Sequence, residues 1–132
     1  MTDIHTIRLH AAWKRMDECD LAKSDSEQHS VSLPDGSLAS CGASTVTYQR
    51  RFNRPTGLSE SMVVQLHSEL LILGTVIRFN GESLPVPRDP FIDLSDHLKP
   101  HNWIEIVIAR PQFQLAATAS AKIEIQTRTN TV

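Results

Sequence analysis

The feature that most limits what this chain can become is a short alternation of apolar and polar residues, repeated along its length and broken by proline. Successive side chains of a strand point to opposite faces, so each such run reads as a half-buried strand. Ile7, Leu9, Ala11 and Trp13 share one face of an expected first strand, with Thr6, Arg8 and His10 on the other. Tyr48 and Phe52 face one way with Arg50 between them, while Gln49, Arg51 and Asn53 face the other. Met62, Val64 and Leu66 alternate with Val63, Gln65 and His67, and Thr75, Ile77 and Phe79 alternate with Val76 and Arg78. Ile104, Ile106 and Ile108 form a β-branched inward row, and Ile123 with Ile125 forms another. Asn80-Gly81 supplies the two left-handed positions that a tight hairpin turn requires. The 7 prolines fall between these runs, where a missing amide hydrogen does least harm.

Helical signals are few: a candidate over Asp17 to Lys23, and a single turn over Leu94 to Leu98 that Ser95 could cap. The expected fold is therefore all-β, a two-sheet, mostly antiparallel sandwich with at most one or two short helical turns. A length of 132 residues suits one domain, residues 1–132, around a single core. The stretch from Asp17 to Ser44 has no period and is rich in Ser, Asp and Glu. It is expected to be a long irregular excursion carrying a short helix or an extra strand near Ser30 to Leu33.

A formal charge of −2 lacks the excess of Lys and Arg on which phosphate binding depends, so nucleic acid is not an expected partner. The opening MTDIHTIRLH has acid and histidine where a signal peptide needs a basic start and an apolar run. With the longest apolar run being Leu70 to Leu73, no membrane span is expected, and the location expected is cytoplasmic. Cys19 and Cys41 are too few for a disulfide framework or an all-thiolate zinc site, and are expected to be reduced.

Acidic residues Asp17, Glu18, Asp20, Asp25 and Glu27 cluster, but no glycine stands between Met1 and Asp35 to make the turn of a calcium loop. A solvated acidic loop is the expectation. Asp93, Asp96, His97 and His101 lie close together, yet Pro100 between the histidines opposes one helix presenting both to zinc. Asp93 or Ser95 is expected to tie down a turn instead. No nucleophile elbow, phosphate loop or His-Glu-x-x-His motif is present, and no motif lowers the pKa of Cys41.

Four segments, in order, resemble the N-terminal sugar-binding-type domain of glycoside hydrolase family 2 enzymes, a galactose-binding-like jelly roll. IRLHAAWKRM resembles its opening strand, and TYQRRFNRP its aromatic, Arg-Arg, Phe strand leading to proline. TVIRFNGESL resembles its central strand and Asn-Gly turn, and FIDLSDHLKPHNWIEIVI its Asp, Ser turn into a Leu-Lys-Pro stretch and closing strand. The loop from Asp17 to Ser44 and the tail from Gln112 to Ala121 depart from the pattern. The resemblance implies a module without the hydrolase active site, since in that family the catalytic carboxylates sit in a separate barrel. It also leaves room for a structural calcium, with no ligands assigned; no other cofactor is implied.

Sandwich modules that recognise sugars use an aromatic ring against the sugar face and planar polar groups for its hydroxyls. Trp13 is in phase with Ile7 and Leu9 and is expected in the core. Trp103 is out of phase with Ile104, Ile106 and Ile108 and points away from it. Arg78, Glu105 and His67 share that outward phase, so Trp103, Arg78, Glu105 and His67 are the candidate ligand site. Arg50 is expected to be a partly buried, paired arginine. Two functions remain open: a non-catalytic module binding a carbohydrate or related polar ligand, or a structural or protein-interaction sandwich with no small-molecule ligand.

Overall fold

The computed structural model describes residues 4–18 and 27–127. Among these residues, ten strands and two short α-helices follow in order: β1 Ile4–Arg8, β2 Trp13–Glu18, β3 Glu27–Val31, β4 Thr45–Asn53, β5 Met62–Ser68, α1 Leu70–Leu73, β6 Val76–Phe79, β7 Glu82–Leu84, β8 Phe91–Asp93, β9 His101–Ala109, α2 Phe113–Ala116 and β10 Ala121–Thr127. Hydrogen bonding divides the strands into a four-stranded sheet, β1-β10-β5-β8, and a six-stranded sheet, β3-β2-β4-β9-β6-β7. The pairings are antiparallel, and the inner faces of both sheets contribute to one core. The all-β two-sheet sandwich expected from alternation is the fold observed.

The rows read from periodicity sit where the pleat puts them. Ile104, Ile106 and Ile108 of β9 are fully buried beside Val46 and Tyr48 of β4 and Ile77 and Phe79 of β6. From the other sheet, Val64, Leu66, Ile123 and Ile125 join the same core. Asn80 and Gly81 adopt φ 52 and 86 between β6 and β7, the two-residue turn whose twist suits a hairpin.

Three expectations are corrected. The run from Ile7 to Trp13 is two strands: β1 belongs to the four-stranded sheet and β2 to the six-stranded one. Between them Ala12 takes φ 66, which turns the chain across the top of the core while Leu9 and Trp13 both remain buried. The supposed helix from Asp17 begins inside β2, and residues 19–23 lie outside the described residues, as do Cys19, Asp20 and Asp25. Helical turns form instead at α1 and α2, while Leu94 to Leu98 is a turn in which the His97 amide donates to the Leu94 carbonyl at 2.9 Å.

The excursion of 17–44 is more ordered than its composition suggests. β3 adds an edge strand to β2, somewhat earlier than the expected extra strand near Ser30 to Leu33. A 3-10 turn over Gly36–Ser40 then buries Leu38 in the core, and α2 packs against that turn. Arg110 holds the far end, its guanidinium donating to the carbonyls of Gly42 and Ala43.

Gly74, which ends α1, lets the chain pass close over β9. A Cβ there would lie 2.9 Å from Ile106 Cγ2 and 3.3 Å from the Leu70 carbonyl oxygen. Ile106 is fully buried and the carbonyl belongs to a helix, so neither can yield without disturbing packing. Gly74→Ala is expected to destabilise the fold by about 1–3 kcal/mol through overpacking, read as a lower urea midpoint at unchanged slope.

Candidate surface site and a buried polar lock

Register places three of the four candidate residues together. Arg78 of β6 is directly opposite Glu105 of β9, and Trp103 of β9 is directly opposite Arg51 of β4. Gln49 lies opposite Glu105 from the β4 side, and Lys14 of β2 lies opposite Gln49. Ser30, Lys14, Gln49, Glu105, Arg78 and Ser83 thus form one polar row across the outer face of the six-stranded sheet, with Arg51 and Trp103 in the next row.

Trp103 is half-buried, and its indole reaches the hairpin at Gly81, where a Cβ would sit 3.8 Å from Cζ2. Its backbone is fixed by Asn80: the Trp103 amide donates to Asn80 Oδ1 at 2.9 Å, and the Asn80 amide donates to the Trp103 carbonyl at 3.0 Å. Asn80 Nδ2 also donates to Asn102 Oδ1 at 3.0 Å and to the His97 carbonyl at 3.1 Å. Asn102 is buried and binds both the amide and the carbonyl of Lys99, each at 2.8 Å. The Asn-Gly pair therefore does more than reverse the chain, because its side chain anchors the strand that carries Trp103.

His67 does not join that face. Its strand β5 belongs to the four-stranded sheet, where His67 lies opposite Lys122 and Phe91. The imidazole stacks on the Phe91 ring at 5.2 Å between centroids, and its Nε2 lies 3.1 Å from Glu124 Oε2. A hydrogen bond from Lys122, 2.9 Å from Glu124, together with the nearby His67, holds the Glu124 carboxyl below its usual range. Phe91 is 38% exposed, an outward aromatic that sequence reasoning left unassigned although Ile92 beside it marks the inward phase. A depression of about 230 Å³ lies next to it, lined by His67, Ser68, Glu69, Pro90, Ser120 and Lys122.

A larger groove of about 360 Å³ opens at one end of the sandwich between the β4–β5 and β8–β9 connections. Leu58, Met62, Val64 and Leu98 line it together with Arg54, Glu60 and Asp96. At its wall Asp93 Oδ1 accepts from the Ser95 amide and Ser95 Oγ accepts from the Val64 amide, both at 2.9 Å. This is the turn that Asp93 and Ser95 were expected to tie down. Among the described residues, no group of three or more His, Cys, Asp or Glu is arranged to hold a metal ion.

The most concentrated electrostatics lie inside, around Arg15, and include Asp17, a member of the expected solvated acidic loop whose side chain is largely buried. Asp17 is paired rather than solvated: Arg15 Nε donates to its Oδ1 at 2.7 Å. Arg15 Nη1 donates to Asp35 Oδ2 at 2.6 Å, and the Tyr48 hydroxyl donates to the same oxygen at 2.8 Å. Ser37 Oγ completes the set by donating to Asp35 Oδ1 at 2.7 Å. Arg15 and Asp35 are each 5% exposed. Burial alone would raise Asp35, but hydrogen bonds from Ser37, Tyr48 and Arg15 and the guanidinium charge outweigh it and hold the carboxyl below its usual range. Burial and the Asp35 charge both push the Tyr48 phenol upward. Burial opposes the charge of Arg15, and its two carboxylate partners more than compensate, so it stays protonated. Cys41 borders the cluster, 3.5 Å from Asp17, with its thiol pushed up by burial and by that carboxylate. Arg50, expected to be paired, donates to the carbonyls of Ala11 and Arg51, each at 2.9 Å, and burial lowers its pKa.

No protein-family model matches the chain, and no curated protein matches it. Solved structures do. The β-glucuronidase of Faecalibacterium prausnitzii superimposes with a TM-score of 0.63 at 12% identity, over 96% of this chain and 32% of that one. A β-glucuronidase of Bacteroides uniformis gives 0.61 at 17% identity, over 93% of this chain and 18% of that one. The rhamnosidase of Novosphingobium sp. PP1Y gives 0.57 at 18%, over 81% and 11%. At these identities the likeness establishes the fold alone. The chain spans less than a third of each of these enzymes, which are all glycoside hydrolases. No described helix is long and apolar enough to cross a membrane.

Proposed function

We propose that this chain is a non-catalytic, galactose-binding-like jelly roll that binds a carbohydrate on the outer face of its six-stranded sheet. The observation that carries the reading is the juxtaposition of Trp103 and Arg51 with the adjoining row of Gln49, Glu105 and Arg78. An indole offers a polarisable face to the C–H groups of a sugar ring, and amide, carboxylate and guanidinium groups beside it can exchange hydrogen bonds with ring hydroxyls. Further support comes from the size relation: nearly all of this chain corresponds to a minor part of much larger glycoside hydrolases. Sites on such an open face bind weakly, because little of the ligand is taken out of water.

A glycan array followed by titration calorimetry tests the reading. Trp103→Ala is expected to weaken binding by about 1–3 kcal/mol, the order of a single stacking contact, while leaving the thermal midpoint within a few degrees. Absence of binding to every glycan at millimolar concentration would overturn it. The alternative is then a structural or protein-interaction sandwich, which one observation favours: Ile72 of α1 and Leu115 of α2 are 42% and 62% exposed on helices that pack together.

A further inference from the structure

Resting on that reading, we infer that the glycan is anionic and bears carboxylates, as a uronic-acid oligosaccharide does. The chain as a whole is acidic, with a formal charge of −2. The face around Trp103 has the opposite sign. Lys14, Arg51 and Arg78 are exposed in its two central rows and face one carboxylate, that of Glu105, so three positive charges meet one negative. The remaining members of those rows, Ser30, Gln49 and Ser83, are uncharged.

The spacing separates this arrangement from scattered surface charge. Arg51 and Arg78 flank β9 on opposite sides and are offset by two residues along it, with Trp103 and Glu105 between them. Strand spacing and rise put their Cα atoms about 12 Å apart, more than one sugar ring can span. A chain of sugars crossing the indole would therefore meet a guanidinium on each side of the ring that it covers. Guanidinium forks match planar carboxylates with two parallel hydrogen bonds, which a neutral hydroxyl cannot return. On an open face such contacts are screened by salt, and this gives them a signature distinct from stacking.

The test compares oligogalacturonate with the same oligosaccharide after reduction of its carboxyls to alcohols, by calorimetry at low and high salt. The uronate is expected to bind about tenfold more tightly at low ionic strength, and the difference is expected to shrink as salt rises from about 50 to about 500 mM. Arg51→Gln with Arg78→Gln is expected to remove the preference, the uronate losing about tenfold more affinity than the reduced oligosaccharide, so that the two then bind alike. Trp103→Ala is expected to weaken both ligands. Equal binding of the two oligosaccharides overturns the anionic assignment and leaves the carbohydrate platform standing, whereas failure of both, with a silent array, overturns the platform itself. Poly-glutamate provides the last arm. If it binds as tightly as the uronate and is indifferent to Trp103→Ala, the face is a general anion patch and the inference falls.

Discussion

Asp35→Ala is expected to lose about 3–5 kcal/mol of folding stability, enough to unfold a substantial fraction of a domain of ordinary stability. The reason is what remains rather than what is removed. Asp35 accepts from Arg15, Tyr48 and Ser37, and without it a guanidinium and a phenol are left buried with fewer partners. Replacing both ends with apolar groups should cost less than the sum, because the guanidinium is no longer left facing the gap at Asp35, although Asp17 then loses Arg15. Urea titration of Asp35→Ala measures the loss, and titrations of Asp35→Leu, Arg15→Met and the double variant Arg15→Met with Asp35→Leu measure that difference. Additive losses would show that the two side chains do not act as a unit.

The same carboxylate gives the fold an acid dependence with a defined sign. The folded pKa of Asp35 is depressed, so its contribution is fully present above the unfolded value of 3.8 and is lost as pH falls from there through the folded value. Glu124 is depressed as well and acts in the same direction. A thermal midpoint that falls with acidification below about pH 4 in the parent chain, and falls less in the double variant, is the expected pattern.

Trp13→Ala is expected to cost about 3–5 kcal/mol, the range for removing a large aromatic from a closed core. Trp13 is fully buried, meets Tyr48 edge to face at 6.4 Å and 84°, and donates from Nε1 to the Leu9 carbonyl at 2.7 Å. That last bond spans the crossing between the two sheets, from the end of β1 to the start of β2. Its loss should therefore loosen β1 as well as open a cavity. Amide exchange in Ile4–Arg8 should accelerate in Trp13→Phe, which keeps an aromatic ring but has no donor. Unchanged exchange there would mean that the indole acts only by filling space.

This crossing also marks where the sequence stopped being legible. Apolar phase runs unbroken from Ile7 to Trp13, and no glycine or proline announces that Ala12 adopts a positive φ. A local pattern reports which side of a strand is buried, and Ile104, Ile106, Ile108 and the Asn80-Gly81 turn were readable for that reason. It does not report which sheet receives the strand. His67 failed to join Trp103 on the same ground: its outward phase was right, but outward from β5 is the far side of the sandwich. The polar lock was hidden differently. Arg15, Asp35 and Tyr48 are 13 and 20 positions apart, and nothing near any one of them in the sequence points to the others. The acidic residues from Asp17 to Glu27 are expected to form a solvated loop, yet Asp17 joins Asp35 in neutralising a buried arginine. Arg78 and Glu105, by contrast, met because each followed a hydrophobic row whose register with its neighbour was set by burial.

Mapping amide and indole chemical shifts while an array-selected glycan is titrated in asks most directly where this sandwich works. The expected result is a set of perturbations centred on the Trp103 indole and extending to Gln49, Arg51, Arg78 and Glu105. Perturbations confined to Leu58, Met62, Ser95 and Leu98 in the end groove, or to His67 and Phe91 on the opposite sheet, would contradict it.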